Sequence, residues 1–139
     1  MFSLAKVKPE ALTHVGIAVT DLEKAIFDYS ALLDFDTIER MEVSGEGVKV
    51  AMLKTGTSEL ELLCPTKEDN AIAKFIRERG EGIHHIAIRV PDVADAMEKA
   101  KRIGMRVLDE KPRTGARGAK AAFVHPKSFH GVLLEFYDR

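Results

Sequence analysis

The sequence predicts an α+β fold in which two tandem βαβββ modules form a curled mixed sheet around a shared cleft. The first observation is an internal repeat. The second is that strand-like and helix-like hydrophobic patterns follow in the same order in both halves. The third is length, because 139 residues suit one domain whereas each half alone is too small to bury a sheet. We therefore expect a single domain over residues 1–139.

The internal repeat consists of two pairs of similar sequence segments, one member of each pair in each half of the chain. In the alignment His14 falls on His85, 71 residues later, and Glu61 falls on Glu135, 74 residues later. Each half therefore opens with a segment that carries His and closes with one that carries Glu. The aligned stretches are THVGIAVTDLEKA (13–25) with HHIAIRVPDVADA (84–96), and ELELLCP (59–65) with LLEFYDR (133–139).

The first module is predicted to span residues 12–65. Its opening strand leads into TDLE (20–23), which has the spacing of a capping box with Thr20 at the helix start. Apolar residues then recur at helical spacing to about residue 33. Three extended segments follow, separated by turn residues, at about 36–44, 47–55 and 58–64.

The second module is predicted to span residues 83–139, after a linking helix within residues 66–82. In the link, NAIAKFIRERG (70–80) has an inward apolar stripe and ends at a glycine. The second module then repeats the first, with a strand and a helix that starts at Asp92 and ends near Gly104. Its three extended segments lie at about 106–109, 119–125 and 131–137.

The paired His and Glu residues form a candidate metal site. Strand alternation places His14 and His85 on the faces that carry glycine and alanine, which leave room for a cleft. Glu61 and Glu135 are flanked by apolar residues, where an ionised carboxylate needs a positive partner. Each residue taken alone could be a core histidine or a surface glutamate. Together, two imidazoles and two carboxylates at matched positions indicate a divalent metal in the predicted cleft.

Charge and composition exclude several classes of protein. The net charge of −1 gives no support to nucleic-acid or membrane binding, which usually show a basic excess. The first twelve residues lack the apolar core of a secretion signal. Cys64 is the single cysteine, so no internal disulfide can form. We therefore expect a cytoplasmic protein.

The glycine-rich stretch PRTGARGAK (112–120) is a candidate substrate-binding loop. Gly115 and Gly118 would let backbone N–H groups converge on an anion. Positive side chains add charge to the same segment. A solvated flexible loop is the alternative interpretation. The candidate substrate-binding residues are Arg113, Gly115, Arg117, Gly118 and Lys120.

These features together resemble the vicinal oxygen chelate superfamily, which has the glyoxalase/bleomycin-resistance fold, and within it the methylmalonyl-CoA epimerase family. The resemblance runs from about residue 12 to the C-terminus, and the segments beyond the His and Glu anchors are its most specific part. The stretches that carry it are LTHVGIAVTDLEKAI, ELELLCPTKEDNAIAKFI, GEGIHHIAIRVPDV, DEKPRTGARGAKAAFVHPKS and HGVLLEFY.

The resemblance implies an isomerase that epimerises (R)- and (S)-methylmalonyl-CoA. The implied mechanism is abstraction and return of the α-proton through a metal-stabilised enolate. His14, Glu61, His85 and Glu135 match the family's metal ligands, and the family often has Gln where this chain has Glu61. Glu135 also matches a residue that transfers the proton. Cobalt is the metal usually associated with the family, with manganese, nickel, zinc or magnesium as substitutes, and a homodimer is usual.

One position departs from the family pattern. Some members have a second catalytic Glu where this chain has Val50, which cannot transfer a proton. A bound water, Glu46, Glu42 or Lys49 could take that role, and the sequence does not choose among them.

Three alternative functions remain open at this point. A glyoxalase-type lyase that acts on a glutathione hemithioacetal would use the same four ligands. An iron dioxygenase fits less well, because it needs only one carboxylate and Glu61 would be surplus. A metal-free small-molecule-binding module of the same fold would need none of the four ligands.

Overall fold

A computed structural model describes residues 6–139 of the chain. Residues 1–5, part of the segment in which no secretion signal is expected, lie outside the described residues. The chain divides into two compact units. We call residues 14–84 the N-terminal unit, and residues 85–139 together with residues 6–13 the C-terminal unit.

The elements follow the predicted order in both halves, strand, helix and then three strands, with one linking helix between the halves. In chain order they are β1 (Ala11–Ala18), α1 (Leu22–Leu32), β2 (Thr37–Val43), β3 (Val48–Thr55), β4 (Ser58–Pro65), α2 (Ala71–Arg79), β5 (Gly82–Arg89), α3 (Val93–Arg102), β6 (Arg113–Thr114), β7 (Lys120–Val124) and β8 (Leu134–Tyr137).

The N-terminal unit is a mixed sheet with strand order β2-β3-β4-β1, in which β1 and β4 are parallel and the other pairs are antiparallel. Helix α1 packs on one face. Its inward residues Leu22 and Ile26 are buried against the aliphatic side chains of that face. The buried members of this core are Val19, Leu22, Ile26, Ala51, Leu53 and Leu62.

The C-terminal unit repeats this arrangement with strand order β5-β8-β7-β6, in which β5 and β8 are parallel. Helix α3 packs on one face of this sheet through its buried residues. The buried members of this core are Val90, Val93, Ala96, Met97, Ala100, Ala122, Val124 and Phe136. The predicted α+β fold of two βαβββ modules is therefore confirmed.

The two repeated helices start at equivalent aspartates. Asp21 accepts a hydrogen bond from the Lys24 N–H at 3.0 Å, and Asp92 accepts one from the Asp95 N–H at 3.1 Å. The predicted capping box at Thr20 is therefore wrong by one residue. Thr20 instead donates its N–H and its hydroxyl to the Glu81 carboxylate, at 2.7 and 3.0 Å.

The linking helix α2 has the predicted limits. The Asn70 side chain accepts from the Ala73 N–H at the N-terminus, and the Gly80 N–H donates to the Ile76 carbonyl at the C-terminus, where Gly80 has φ of 80°. In the described part of the chain, no helix is long and apolar enough to cross a membrane.

The strand predicted at 106–109 is wrong, since this segment forms only an isolated bridge between Val107 and Val124. The reason is that side chains replace backbone partners on both sides of that bridge. The Asp109 carboxylate accepts the Phe123 N–H at 2.8 Å, and the Ser128 hydroxyl accepts the Arg106 N–H at 3.1 Å. The regular strand of this region is β6, a two-residue strand inside the segment predicted to be a loop.

Candidate metal centre

The N-terminal unit places His14 and Glu61 side by side. His14 lies on β1, and β4 runs parallel to it in a register that pairs Gly16 with Glu61. Because side chains at i and i+2 share a face, His14 and Glu61 point to the same side of the sheet. The His14 Nε2 and Glu61 Oε1 atoms are 3.5 Å apart, and the two residues are only 3% and 6% exposed.

The C-terminal unit repeats this pair. His85 lies on β5, and the parallel strand β8 pairs Ala87 with Glu135. The small side chain of Ala87, which is fully buried, leaves the space between the two larger groups. The His85 Nε2 and Glu135 Oε1 atoms are 3.3 Å apart, and these residues are 4% and 8% exposed.

The chemistry of each pair fits two ligands of a divalent metal ion. Ligand bonds of about 2.0–2.2 Å place neighbouring ligand atoms roughly 3.0–3.5 Å apart on one ion. The separations of 3.5 and 3.3 Å fall in that range. Carboxylates with so little exposure also need a positive charge nearby. Imidazole and carboxylate together suit several divalent metal ions and do not select one of them.

The positions directly opposite the two glutamates differ between the units. Met52 on β3 pairs with Glu61, whereas Phe123 on β7 pairs with Glu135. The ring of Phe123 meets the ring of His85 almost at right angles, with centroids 5.3 Å apart. Phe123 was not among the site residues predicted from the sequence, although strand alternation combined with the repeat could have placed it beside Glu135.

The register separates the residues considered for a second acid or base. Val50 lies two positions from Met52 and therefore shares the face of Glu61, and it is 1% exposed. Glu42 and Lys49 pair with each other and belong to the opposite face, the one that α1 covers. Glu46 lies in a short 3-10 turn before β3. Glu42 and Lys49 therefore have no support as acid or base for a reaction at Glu61.

The segment 112–120 is more ordered than a solvated loop. The N–H groups of Gly115 and Gly118 donate to the carbonyls of Ala119 and Gly115, at 2.8 and 3.2 Å. The Lys120 N–H donates to the Asp138 carboxylate at 2.8 Å. The expected convergence of glycine N–H groups on an anion is therefore not seen, and the charge of this segment comes from its side chains.

Arg117 and Arg113 have specific surroundings in this segment. Arg117 has a positive φ of 60°, which is uncommon for a residue with a side chain, and its carbonyl accepts from the Arg139 guanidinium. The Arg113 guanidinium lies over the ring of Phe123, 4.4 Å from its centroid, and its Nε atom is 3.1 Å from the Asp109 carboxylate.

Residues 13–123 match the Glyoxalase/Bleomycin resistance protein/Dioxygenase superfamily. The match covers most of both units. The match agrees with the observed fold of two βαβββ modules. It also agrees with the glyoxalase/bleomycin-resistance fold that was expected from the sequence.

Individual relatives narrow the family. A protein of Homo sapiens named methylmalonyl-CoA epimerase, mitochondrial, is 38% identical over 125 residues, which cover 89% of this chain and 71% of that protein. The ethylmalonyl-CoA/methylmalonyl-CoA epimerase of Cereibacter sphaeroides is 38% identical over 126 residues, which cover 89% of this chain and 94% of that protein.

A solved structure supports the same family. A variant of Streptomyces coelicolor methylmalonyl-CoA epimerase in complex with 2-nitronate-propionyl-CoA is 38% identical, with a TM-score of 0.90 over 94% of this chain and 98% of that one. The chain therefore belongs to the Glyoxalase/Bleomycin resistance protein/Dioxygenase superfamily and, within it, to the methylmalonyl-CoA epimerase family. The resemblance and the enzyme class predicted from the sequence are confirmed.

Proposed function

We propose that the chain catalyses metal-dependent epimerisation of (R)- and (S)-methylmalonyl-CoA by removal and return of the α-proton. The observation that carries the proposal is the buried His–Glu pair, repeated at equivalent strand positions of two units. Relatives at 38% identity that are named for this activity support the choice of substrate.

The proposed metal ligands are His14, Glu61, His85 and Glu135, which we propose bind one divalent ion. Cobalt is favoured on the family resemblance, with manganese, nickel, zinc or magnesium as alternatives. The donor set has no thiolate, which argues only against metals that prefer sulfur. When bound, the ion supplies Lewis-acid stabilisation of the negative charge that develops beside the α-carbon. The four side chains, which lie on β1, β4, β5 and β8, would hold the ion.

Glu135 is the proposed proton-transfer residue. Its carboxylate lies on the sheet face of His85 and has little exposure, so bulk water does not compete freely for the proton. Positioned proton transfer of this kind typically contributes about 10²–10⁴-fold to the rate. We propose that Glu135 transfers the proton on one face of the α-carbon. Inversion also needs an acid on the opposite face, which Val50 cannot supply, and a bound water and Glu46 (in the turn before β3) are the candidates for it.

The proposed substrate-binding segment is 112–120, with Arg113, Gly115, Arg117, Gly118 and Lys120. Its support is the positive charge of the half-buried Arg117 and the exposed Lys120, next to Arg113, whose Nε atom pairs with Asp109. Substrate carboxylate and CoA phosphates are the anions that such side chains bind.

A deuterium-exchange assay tests the proposed function. Methylmalonyl-CoA is incubated in deuterated water with the cobalt-loaded protein, and incorporation at the α-carbon is followed by NMR or mass spectrometry. We expect rapid incorporation and no turnover of methylglyoxal plus glutathione. Turnover of the hemithioacetal without exchange into methylmalonyl-CoA would favour the lyase, and neither activity with no bound metal would favour a binding module.

We further propose a homodimer in the cytoplasm. The dimer rests on the family resemblance, and the location rests on the single cysteine and the near-neutral charge. Light scattering coupled to size-exclusion chromatography measures the first, and cell fractionation measures the second. A monomeric mass, or recovery of the protein in a membrane-bounded compartment, would contradict them.

A further inference from the structure

We infer that Phe123 is a positioning residue of the metal site, which holds the ring of His85, and that Asp109 and Arg113 hold Phe123. This inference rests on the proposed function in one respect, because it takes His85 and Glu135 to be metal ligands. It adds three residues that support those ligands from the C-terminal unit.

Phe123 contacts both members of the C-terminal pair. Antiparallel pairing of β7 with β8 sets it directly opposite Glu135, where Cβ atoms are typically about 4.5–5.5 Å apart. Its ring meets the His85 ring at 78° with centroids 5.3 Å apart, an edge-to-face contact. This edge-to-face contact therefore favours the present orientation of the His85 ring over a rotated one.

Asp109 and Arg113 hold Phe123 from its backbone and from its ring. One oxygen of the Asp109 carboxylate accepts the Phe123 N–H at 2.8 Å, and the other lies 3.1 Å from Arg113 Nε. The guanidinium in turn lies 4.4 Å from the Phe123 ring centroid, in the geometry of a cation–π contact. The three residues thus form a closed set of contacts, which we call the Asp109 clamp.

The clamp matters because a metal ligand must present its nitrogen in a narrow range of directions. The His85 Nε2 atom faces Glu135 at 3.3 Å, and rotation of the ring would carry it away. Groups that orient histidine ligands typically contribute about 10–100-fold to metal affinity. We therefore expect loss of the Phe123 ring to weaken metal binding although no ligand is removed.

Cobalt binding to the metal-free full chain tests the inference. The variants are Phe123→Leu, which keeps an apolar side chain without a ring, and Phe123→Tyr, which restores the ring. Phe129→Leu is the matched control, because Phe129 packs against the apolar core beside α3. Affinity is measured by competition with a chelator, ligand geometry by the visible absorption of bound cobalt, and folding by the unfolding temperature of the metal-free protein.

We expect Phe123→Leu to weaken cobalt binding by about 10–100-fold and to change the absorption spectrum, with recovery in Phe123→Tyr. Phe129→Leu should lower the unfolding temperature and leave affinity and spectrum unchanged. If Phe123→Leu does not fold, Asp109→Asn takes its place, because the neutral amide loses the ion pair with Arg113 and thereby loosens the clamp while the ring remains. Here the expected result is a weaker cobalt complex with an altered spectrum.

The possible failures are distinct. If the wild-type protein binds no cobalt, or binds it equally after His85→Ala, then the metal part of the proposed function is wrong. If the wild type binds cobalt through His85 but Phe123→Leu and Asp109→Asn bind it within twofold of wild type and with the same spectrum, then the inference about Phe123 is wrong.

Discussion

The two units carry the same His–Glu pair on different supports. In the N-terminal unit the residue opposite Glu61 is Met52, a fully buried and flexible side chain. In the C-terminal unit the residue opposite Glu135 is Phe123, a rigid ring that contacts His85. The two halves of the repeat thus share the His–Glu pair but differ in the side chain beside it.

Under the proposed function, this difference between the two units implies different roles for Glu61 and Glu135. Glu61 is expected to serve only as a ligand, so a flexible neighbour suffices. Glu135 is expected to bind the ion and also to transfer a proton, so its unit needs tighter control of side-chain direction. The Asp109 clamp supplies that control through backbone and ring contacts.

The largest expected effect is a difference in α-proton exchange between variants of Glu135 and of Glu61. Glu135→Gln should reduce α-proton exchange by about 10²–10⁴-fold, because the amide cannot accept the proton. Glu61→Gln should keep most of the activity, because its amide oxygen can still bind the ion. Deuterium incorporation into methylmalonyl-CoA measures both. Equal losses in the two variants would show that the units have equivalent roles.

Folding serves as the control for this pair of variants. Both substitutions keep the side-chain volume, so the unfolding temperatures of the metal-free proteins should stay close to wild type. Undiminished exchange in Glu135→Gln would rule out Glu135 as the base.

The next effect concerns metal stoichiometry. If the two pairs share one ion, His14→Ala and His85→Ala should each weaken metal binding strongly. The loss should exceed the roughly 10–100-fold that is typical when a residue that only orients a ligand is removed. Elemental analysis of the wild type should give one ion per chain, and chelation followed by added cobalt should abolish and restore activity. Two ions per chain, each lost in only one variant, would mean two separate sites.

A smaller effect tests the equivalence of the repeated helix starts. Asp21→Ala and Asp92→Ala should each lower the free energy of unfolding by about 1 kcal/mol, because each removes one N-terminal cap. Denaturant unfolding measures the change. Asp34→Ala, at an exposed position after α1, is the control and should be nearly neutral. A cost at only one of the two caps would contradict their equivalence.

The smallest expected effect concerns the ion pair between Glu23 and Arg40 in the N-terminal unit. Glu23 accepts two hydrogen bonds from the Arg40 guanidinium, both 2.9 Å long, and these lower the pKa of Glu23 below its ordinary value of 4.5. A lowered folded-state pKa stabilises the protein above the unfolded pKa, and this contribution is lost as the pH falls through the folded pKa.

Glu23→Gln should therefore cost a little stability near pH 7 and nothing in strong acid. The equivalent position in the C-terminal unit is the exposed Ala94, so Ala94→Gln is the matched control and should show no such pH dependence. Unfolding temperatures measured from pH 3 to pH 7 compare the two. High salt should shrink the effect, because the pair is exposed to solvent.

The sequence was most informative where local pattern and repeat agreed. Period-two alternation and the repeat together were enough to single out His14, Glu61, His85 and Glu135. The parallel strand register of each unit, which the sequence did not predict, then brings the His and the Glu of each half side by side. Helix α2 was also predictable, because Asn70 and Gly80 are strong local signals at its two ends.

Other features depended on contacts that no local pattern contains. Asp109 replaces a backbone partner of Phe123, so the apolar pattern at 106–109 could not show that the strand would fail. Thr20 was expected to cap α1. Its hydroxyl instead donates a hydrogen bond to the carboxylate of Glu81, which lies 61 residues away in the sequence. The Arg113 contact with Phe123 likewise requires the tertiary fold.

Strand β8 carries Glu135 toward one face and its neighbour Phe136 into the apolar core beside α3. A mispaired β8, slipped by one residue, would exchange these two side chains and drive a carboxylate into hydrocarbon. Such a chain would be unstable as well as inactive. Packing of Phe136 in the apolar core thus selects the strand register that places the Glu135 carboxylate beside His85.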